Sequence, residues 1–327
     1  MDALSQECSG RFVCRICGAG GLELDKPGNV GRPLAAEDFR ITNSDYGMTA
    51  DIYRCGDCGF LQCPGLGETL GFYERLEDPR YEEDRRARGI QARKVLERIE
   101  RFRRCDGSST GTGGVPMLRG RLLDVGAGSG ILLEQAKAMG YEAEGVEPSR
   151  WLCERARQHG LTVHQGVLPH PEAHGPYDVV VVMDVVEHVA DPVGLLREAR
   201  QVAAAGGLVA VVTPDVRSVA ARLLGRRWWH YRVAHVGYFH KKTLRLAGEK
   251  AGLKLLRVYR PPWYFPLDYI IERVGRYLPR FLRMRGPRFS RRIVLPVNFG
   301  DSLLGIFEVA GPAACRPCAG AGPDRAG

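Results

Sequence analysis

Residues 121–148 read R-L-L-D-V-G-A-G-S-G-I-L-L-E-Q-A-K-A-M-G-Y-E-A-E-G-V-E-P, and this stretch decides the fold. Its order is an apolar strand, a glycine-rich turn, an amphipathic helix and a second strand that ends in Glu147. A glycine turn at the carboxyl end of a buried strand lets a ligand approach the backbone, and an acidic residue about 20 positions on can accept ribose hydroxyls. The stretch therefore predicts a nucleoside-cofactor site in an α/β domain.

The spacing of the glycines distinguishes between nucleoside cofactors. Nicotinamide-type fingerprints run G-x-G-x-x-G, which places a helix N-terminus against a pyrophosphate. Here Gly126, Gly128 and Gly130 run G-x-G-x-G directly after Asp124. A carboxylate at that strand end repels a pyrophosphate and attracts an ammonium group. The charge favours a cofactor with a cationic amino-acid part, such as S-adenosylmethionine.

Four further segments extend the pattern along the chain. They are Y-D-V-V-V-V-M-D-V-V-E-H-V-A-D-P at 177–192, G-G-L-V-A-V-V-T-P-D at 206–215, H-V-G-Y-F-H-K-K-T-L-R-L-A-G-E-K-A-G-L at 235–253 and N-F-G-D-S-L-L-G-I-F-E-V at 298–309. With the glycine loop, they make roughly residues 119–310 resemble the class I S-adenosylmethionine-dependent methyltransferases. The resemblance implies a Rossmann-like, doubly wound α/β sheet.

The resemblance also implies where the cofactor contacts the chain. Asp124 is expected to orient the ammonium group through the loop, and Glu147 to accept the ribose hydroxyls. Adenine is expected beside Gln165 or Gly166, and the sulfonium beside the end of the strand that starts at residue 177. The complete predicted set is Asp124, Gly126, Gly128, Gly130, Glu147, Gln165, Gly166, Met183 and Asp184.

D-V-V-E-H at residues 184–188 suggests a second site. On a helical turn, Asp184, Glu187 and His188 would share one side. Some members of the resembled family carry E-x-x-E-H here and bind a divalent cation, which lowers the pKa of a substrate hydroxyl. Asp184 is one methylene shorter than the first Glu of that motif. Three hypotheses stay open: a magnesium site, a helix cap with a packed imidazole, and His188 as a substrate-side base.

The predicted catalytic residues are His235, His188 and Tyr238. Methyl transfer is an in-line displacement, so the protein mainly aligns the acceptor and removes one proton. His235 is the first candidate because the resembled family often has a histidine there. The alternative for His235 is packing at the start of a helix.

Four of the ten cysteines form two C-x-x-C pairs, each followed by glycine. Such knuckles bring four thiolates to one tetrahedral point, as structural zinc requires. The predicted ligands are Cys14, Cys17, Cys55 and Cys58; unligated thiols or a redox pair are the alternative. The predicted domains are a zinc-ribbon-like module at 1–65, a helical connector and flexible linker at 66–118, the methyltransferase domain at 119–310, and a disordered tail at 311–327.

The chain has 327 residues, 44% of them hydrophobic, and a formal charge of +9. Its N-terminus shows no secretory pattern and no apolar run spans a bilayer, so a cytoplasmic location with reduced cysteines is expected. Eight Arg against two acidic residues give residues 267–292 a net charge of +6, beside an apolar helical stripe. This basic amphipathic insertion predicts peripheral contact with an anionic membrane or an anionic substrate; the alternative is an Arg-solvated cap on the domain.

Three classes of function remain after these observations. The first is methyl transfer to a small molecule, most simply to an oxygen of a sugar, lipid-linked glycan, quinol precursor or specialised metabolite, with carbon of a sugar as a variant. The second is RNA methylation, which the basic pI of about 9.1 suggests. The base N-methylation motif N/D-P-P-Y/F is absent after residue 183, which counts against base N-methylation and leaves other RNA positions open; nucleic acid is not the expected partner. The third is a regulatory module that binds S-adenosylmethionine without catalysis.

Overall fold

The structure is a computed structural model and describes residues 12–43, 45–67, 69–103, 119–275 and 288–310. Its strands are β1 (Leu22–Lys26), β2 (Ile52–Cys55), β3 (Leu61–Gln62), β4 (Arg121–Val125), β5 (Glu142–Glu147), β6 (Val163–Gln165), β7 (Tyr177–Met183), β8 (Ala203–Pro214), β9 (Gly237–Tyr238), β10 (Leu253–Tyr259), β11 (Trp263–Pro266), β12 (Val294–Val297) and β13 (Ser302–Val309). Its helices are α1 (Leu70–Glu74), α2 (Pro79–Glu83), α3 (Arg85–Arg103), α4 (Ile131–Ala138), α5 (Arg150–Gln158), α6 (Pro192–Val202), α7 (Val219–Leu224), α8 (Lys241–Lys250) and α9 (Leu267–Gly275).

A seven-stranded sheet forms the centre, in the order β10-β13-β8-β7-β4-β5-β6. Strands β6, β5, β4, β7 and β8 are parallel, whereas β13 runs antiparallel between β8 and β10. The strand order reverses between β4 and β7, and ligands of doubly wound sheets bind outside the carboxyl ends of the strands at such a point. The predicted Rossmann-like fold is confirmed.

Burial on both faces explains why β7 is an unbroken run of valines. Val179, Val180, Val181 and Val182 are all completely buried. Strands covered by helices on both faces read as continuous apolar segments and not as alternating ones. The sheet therefore forms a rigid support whose carboxyl edge can hold polar groups in fixed positions.

Beside the glycine loop, the predicted helical connector at 66–118 contains two consecutive helices. Helix α2 ends at Glu83 and α3 begins at Arg85, so the chain turns next to the glycine loop. Val95, Leu96 and Ile99 of α3 are completely buried and pack in one cluster with Leu132 and Leu133 of α4. Helix α3 thus covers the sheet face that carries the loop.

A second sheet joins the cysteine-containing segment to the C-terminal half of the chain. Its strand order is β1-β2-β3-β9, and all neighbouring strands are antiparallel. In the pairing of β3 with β9, Leu61 lies opposite Tyr238 and Gln62 opposite Gly237. The segment predicted as a separate module is therefore hydrogen-bonded to the strand that follows His235.

Strands β11 and β12 form a small antiparallel sheet beside α9. The predicted basic insertion at 267–292 begins with α9, but its residues 276–287 lie outside the described residues, as do residues 104–118 of the predicted connector and linker and the predicted tail at 311–327. The predicted domain boundaries stay predictions. No helix in the described part of the chain is long and apolar enough to cross a membrane.

Candidate functional site

The glycine loop joins β4 to α4 at the point where the strand order reverses. Gly126, Gly128 and Gly130 have φ of 75°, 55° and 78°, a region that favours glycine. A Cβ added to Gly126 would lie 2.4 Å from Cγ2 of Val185, and one added to Gly130 would lie 2.5 Å from Cδ1 of Leu161. Backbone conformation and close packing both require glycine, and the loop is held against β5 by hydrogen bonds from the amides of Gly126 and Ala127 to the Val146 carbonyl.

Three buried carboxylates, Asp124, Glu147 and Glu187, and the half-buried Asp184 lie along the same edge. Asp124 is in β4, Glu147 ends β5, and Asp184 and Glu187 follow β7. Burial raises the pKa of Asp124 and of Glu187 well above the ordinary range, and raises those of Glu147 and Asp184 to about 7. Neighbouring carboxylates add to the shift, Glu147 for Asp124 and Asp184 for Glu187. Such a cluster favours a cationic ligand, because a positive charge stabilises the ionised form of every member.

Glu147 connects the loop to the second strand. One of its carboxylate oxygens accepts a hydrogen bond from the Gly128 amide at 2.9 Å, and the other accepts one from the Ser149 amide at 2.8 Å. Only 6% of Glu147 is exposed. The carboxylate is therefore fixed between the glycine loop and the start of α5, and its role toward ribose stays a prediction.

The residues predicted to contact adenine and the sulfonium lie at the ends of β6 and β7. The amide of Gly166 donates to the Glu147 carbonyl at 2.9 Å, and Gln165 is exposed at the end of β6. Met183 ends β7 half-buried, and Asp184 follows with a φ of 56°, unusual for a residue other than glycine. All the residues predicted to bind the cofactor lie on the loop or at a strand end of one edge, and their roles stay predictions.

Sequence reasoning missed two side chains from α2 and α3 that lie against the loop. The hydroxyl of Tyr81 would be 2.9 Å from a Cβ added to Gly128. The Arg88 guanidinium lies 4.3 Å from the centre of the Tyr81 ring and lowers the pKa of Asp184. Nε of Arg88 is buried and has no hydrogen-bond partner among the described residues. Arg88 can therefore bind a carboxylate within the crevice, although no motif in the sequence marks it.

Glu187, His188 and His235 converge on the other side of β7. One ligand atom from each lies within 4.8 Å of the others. Glu187 accepts from the Thr213 hydroxyl at 3.0 Å, and its carbonyl accepts from the amides of Val236 and Gly237. This backbone pairing brings residues that are far apart in sequence into one cluster.

The hydrogen bonds of His188 define its tautomer. Nδ1 lies 2.8 Å from the Ala234 carbonyl and 2.7 Å from the hydroxyl of Tyr73. A carbonyl only accepts, so Nδ1 carries the proton in the neutral ring and the lone pair is on Nε2. Burial lowers the pKa of His188 to about 4, with a further contribution from Arg232, so the ring is neutral near pH 7. Tyr73, on α1, is a second residue that the motifs did not indicate.

His235 is also neutral, and it lies in a row of aromatic rings. Burial, and then the neighbouring His188, lower its pKa well below the ordinary value. Its ring centre is 4.8 Å from that of His188 and 5.7 Å from that of His230. Nδ1 of His235 is buried without a hydrogen-bond partner among the described residues. An unpaired polar atom at this depth marks a position where a ligand can complete the hydrogen bonding.

The hypothesis of a magnesium site at Asp184, Glu187 and His188 is not supported. Residues 186–188 form a turn and not the start of a helix. Because Asp184 has a left-handed backbone conformation before that turn, it does not join Glu187 and His188 in the group of candidate ligand atoms among the described residues. His235 takes its place, so Asp184, Glu187 and His188 have no support as a magnesium site.

A family model described as a methyltransferase domain matches residues 80–258, more than half of the chain. The chain belongs to this family. Two of its curated relatives are named ubiquinone biosynthesis O-methyltransferase. The one from Caulobacter sp. strain K31 is 39% identical over 113 residues, which cover 32% of this chain and 44% of that protein. The one from Aeromonas salmonicida is 31% identical over 165 residues, covering 45% and 68%.

The methyltransferase-domain chain spans less than half of the length of the first relatives that it matches. Among solved structures, a SAM-dependent methyltransferase from Thermotoga maritima is 19% identical, with a TM-score of 0.40, and the match covers 68% of this chain and 93% of that one. The CcbJ methyltransferase from Streptomyces caelestis is 18% identical, with a TM-score of 0.39, and covers 59% and 84%.

Tyr238 lies on the side of the methyltransferase domain that faces the cysteine segment. It is 2% exposed within the cluster of Ile52, Trp228 and Tyr231, and its hydroxyl donates to the Arg232 carbonyl at 3.5 Å. Its ring centre is 6.2 Å from that of His235. The catalytic assignment of Tyr238 stays a prediction, but Tyr73 is the tyrosine that touches His188.

The four predicted zinc ligands do converge. Sγ of Cys14 is 3.6 Å from Sγ of Cys58, and Sγ of Cys17 is 3.5 Å from Sγ of Cys55; all four lie within 4.8 Å of one another. Sulfurs about 2.3 Å from a central zinc would be about 3.8 Å apart in a tetrahedron, whereas disulfide sulfurs are about 2.05 Å apart. The thiolates therefore fit a tetrahedral metal and not two disulfides.

Replacement of Glu147 by Gln tests the buried carboxylate. Burial raises the pKa of Glu147 from 4.5, its value in the unfolded chain, to about 7 in the folded protein. Between these two values the folded state binds the proton more tightly than the unfolded state does. Protonated Glu147 therefore stabilises the folded state, and this stabilisation is lost as the pH rises through that range. The free energy of unfolding of the ligand-free Glu147→Gln variant should lack this loss. The difference between variant and wild type should therefore change by about 2–3 kcal/mol in favour of the variant when the pH is raised from 5 to 8. Urea unfolding at both pH values measures the gain, and a pH-independent difference would contradict the raised pKa.

Proposed function

We propose that the protein transfers the methyl group of S-adenosylmethionine to an oxygen of a small-molecule acceptor. The observation that carries the proposal is the cluster of carboxylates around the glycine loop, the buried Asp124 and Glu147 and the half-buried Asp184, whose pKa values are raised by desolvation. This cluster disfavours an anionic dinucleotide and fits a nucleoside with a sulfonium and an ammonium group. Membership of the methyltransferase-domain family supports the same cofactor.

The crevice residues fit S-adenosylmethionine group by group. Glu147 would hold the ribose hydroxyls, and Asp124 the ammonium group through the loop. Arg88, with its unpaired Nε, would bind the carboxylate of the amino-acid part. Gly166, which is hydrogen-bonded to Glu147, would lie beside adenine, and the residues that end β7 beside the sulfonium. When bound there, the cofactor supplies an electrophilic methyl group.

The acceptor oxygen would lie between the strand ends and His188. The neutral His188 ring has its lone pair on Nε2, because Nδ1 faces the Ala234 carbonyl. Nε2 can therefore accept the proton that the acceptor hydroxyl loses as its oxygen is methylated. His235 would orient the acceptor through its unpaired Nδ1. A quinol precursor is the first acceptor to test, because relatives are named ubiquinone biosynthesis O-methyltransferases.

Methyl transfer is tested with radiolabelled S-adenosylmethionine in a host-cell extract that is separated into lipid, small polar and nucleic-acid fractions. Label should enter the lipid or small polar fraction. His235→Gln should lower the rate at least about 100-fold because the acceptor loses its alignment, without weakening cofactor binding.

His159→Gln is the matched control, since His159 follows α5 and is exposed to solvent. Its rate should equal that of wild type. Label in the RNA fraction would overturn the small-molecule proposal in favour of RNA methylation. Cofactor binding without any label in the extract, or with any added catechol-like acceptor, would favour a regulatory module.

We also propose that Cys14, Cys17, Cys55 and Cys58 hold one structural zinc ion. The support is the tetrahedral spacing of the four sulfurs. Four protein ligands leave no open position for a substrate, so the ion would stabilise the fold of this segment and would not take part in methyl transfer.

The double substitution Cys14→Ser with Cys55→Ser should remove the bound zinc and unfold the segment that carries β1 and β2. Elemental analysis of the purified chain should give one zinc per wild-type chain and less than about 0.1 in the variant. Cys153→Ser is the matched control, because Cys153 is a buried thiol outside the cluster. Equal zinc contents in the double variant and the control would refute the four-thiolate site.

A third proposal concerns contact with anionic membranes through the segment that carries α9 and β12. In its described part, four large apolar residues are exposed to solvent. Their exposed fractions are 54% for Val274, 44% for Ile293, 40% for Leu295 and 54% for Phe299. Arg291 and Arg292 are exposed beside them. Apolar side chains interspersed with arginines suit the headgroup region of an anionic bilayer.

Sedimentation with vesicles containing about 30% phosphatidylglycerol tests this contact. The chain should bind these vesicles at low salt, bind neutral vesicles less, and dissociate as ionic strength rises. Ile293→Ser with Leu295→Ser should reduce binding about tenfold or more. Leu223→Ser on α7 is the control, since Leu223 is 82% exposed on another element. Binding that is independent of lipid charge would argue against the proposal.

A further inference from the structure

One short backbone segment links the cysteine cluster to the proposed acceptor site. The Val236 carbonyl accepts a hydrogen bond from the Cys63 amide at 2.9 Å, on the side of β3. On its other side, the amides of Val236 and Gly237 donate to the Glu187 carbonyl at 2.8 and 3.0 Å. His235 directly precedes this segment, so both its backbone and that of Glu187 depend on where β3 places Val236.

Gln62 fixes β3 to the first cysteine knuckle. Its carboxamide oxygen accepts from the Arg15 amide at 2.9 Å, and its carboxamide nitrogen donates to the Val13 carbonyl at 2.9 Å. Gln62 is completely buried and lies opposite Gly237 in the sheet. Its side chain therefore contacts the knuckle, and its backbone pairs with the strand that follows His235.

Arg15 makes a second connection, because it lies between Cys14 and Cys17. Its guanidinium donates to the Val236 carbonyl at 3.4 Å, and also to the carbonyls of Cys63 and Leu66 at 3.4 and 3.5 Å. Three carbonyls from two segments thus converge on one cation. A neutral or shorter side chain at this position cannot hold all three.

We infer that Arg15 and Gln62 are positioning residues for methyl transfer, which transmit the geometry of the metal-bound cysteine cluster to His235 and Glu187. The inference rests on the proposed function, since it assigns the cysteine segment a part in that acceptor site. Neither residue touches the cofactor or the acceptor; both act through the position of residues 235–237.

Arg15→Met in the full-length protein tests the inference. Met keeps the apolar stem of the side chain and removes its donors. The variant should retain one zinc per chain and bind S-adenosylhomocysteine within twofold of wild type in calorimetry. The NMR signals of the His235 ring, assigned by their loss in His235→Gln, should shift or broaden. The kcat for label transfer into the acceptor fraction should fall about tenfold, with KM changed less than twofold, because small misplacements of aligning groups lower rates steeply.

Arg54→Met is the matched control, since Arg54 lies on β2 of the same segment but its guanidinium pairs with Asp25. It should leave the His235 signals and kcat unchanged. If Arg15→Met loses zinc, Arg15→Lys and Gln62→Met, which is uncharged and close to Gln in size, repeat the test. His235 signals and kcat equal to the control in every zinc-loaded variant would overturn the inference. Shifted His235 signals without label transfer by wild type would instead mean that the proposed function fails.

Discussion

The rest of the site depends on the two backbone amides that donate to the buried carboxylate of Glu147. They connect the glycine loop after β4 to the start of α5, so that two neighbouring strand ends cannot move independently. The two hydrogen bonds hold the buried carboxylate of Glu147 in place. They satisfy only part of its hydrogen-bonding capacity, and the cost of desolvating the ionised form raises its pKa. A cationic ligand relieves that cost, so the protein selects its ligand by charge as well as by shape.

The sequence predicted the sheet and the loop because both follow from local chemistry. A continuous apolar run such as β7 requires burial on both faces, and the positive φ at Gly126, Gly128 and Gly130 requires glycine. The cysteine cluster could also be predicted from the sequence, because the turn geometry of each C-x-x-C pair places its two sulfurs close together. In each case neighbouring residues determine the result.

The acceptor side could not be predicted in the same way. Tyr73 and His188 are 115 residues apart, and the turn after β7 departs from a helix at Asp184. Spacing within D-V-V-E-H suggested one ligand face, but the position of His235 is set by pairing with β3 and by hydrogen bonds to Glu187. Arg88 could not be predicted either, because no sequence motif marks it. Its position depends on the packing of α3 against α4 and on its contact with Tyr81 of α2.

The pairing of β3 with β9 has a consequence for synthesis on the ribosome. Gln62 emerges 175 residues before its partner Gly237, so one edge of β3 stays open while most of the large sheet is made. Open strand edges pair readily with other chains, and contacts between distant residues form slowly. The buried amide side chain of Gln62, bonded to the adjacent knuckle, gives β3 a local partner during that interval. Gln62 thus connects β3 to residues made before it, while the backbone edge that pairs with β9 waits for residues 237–238.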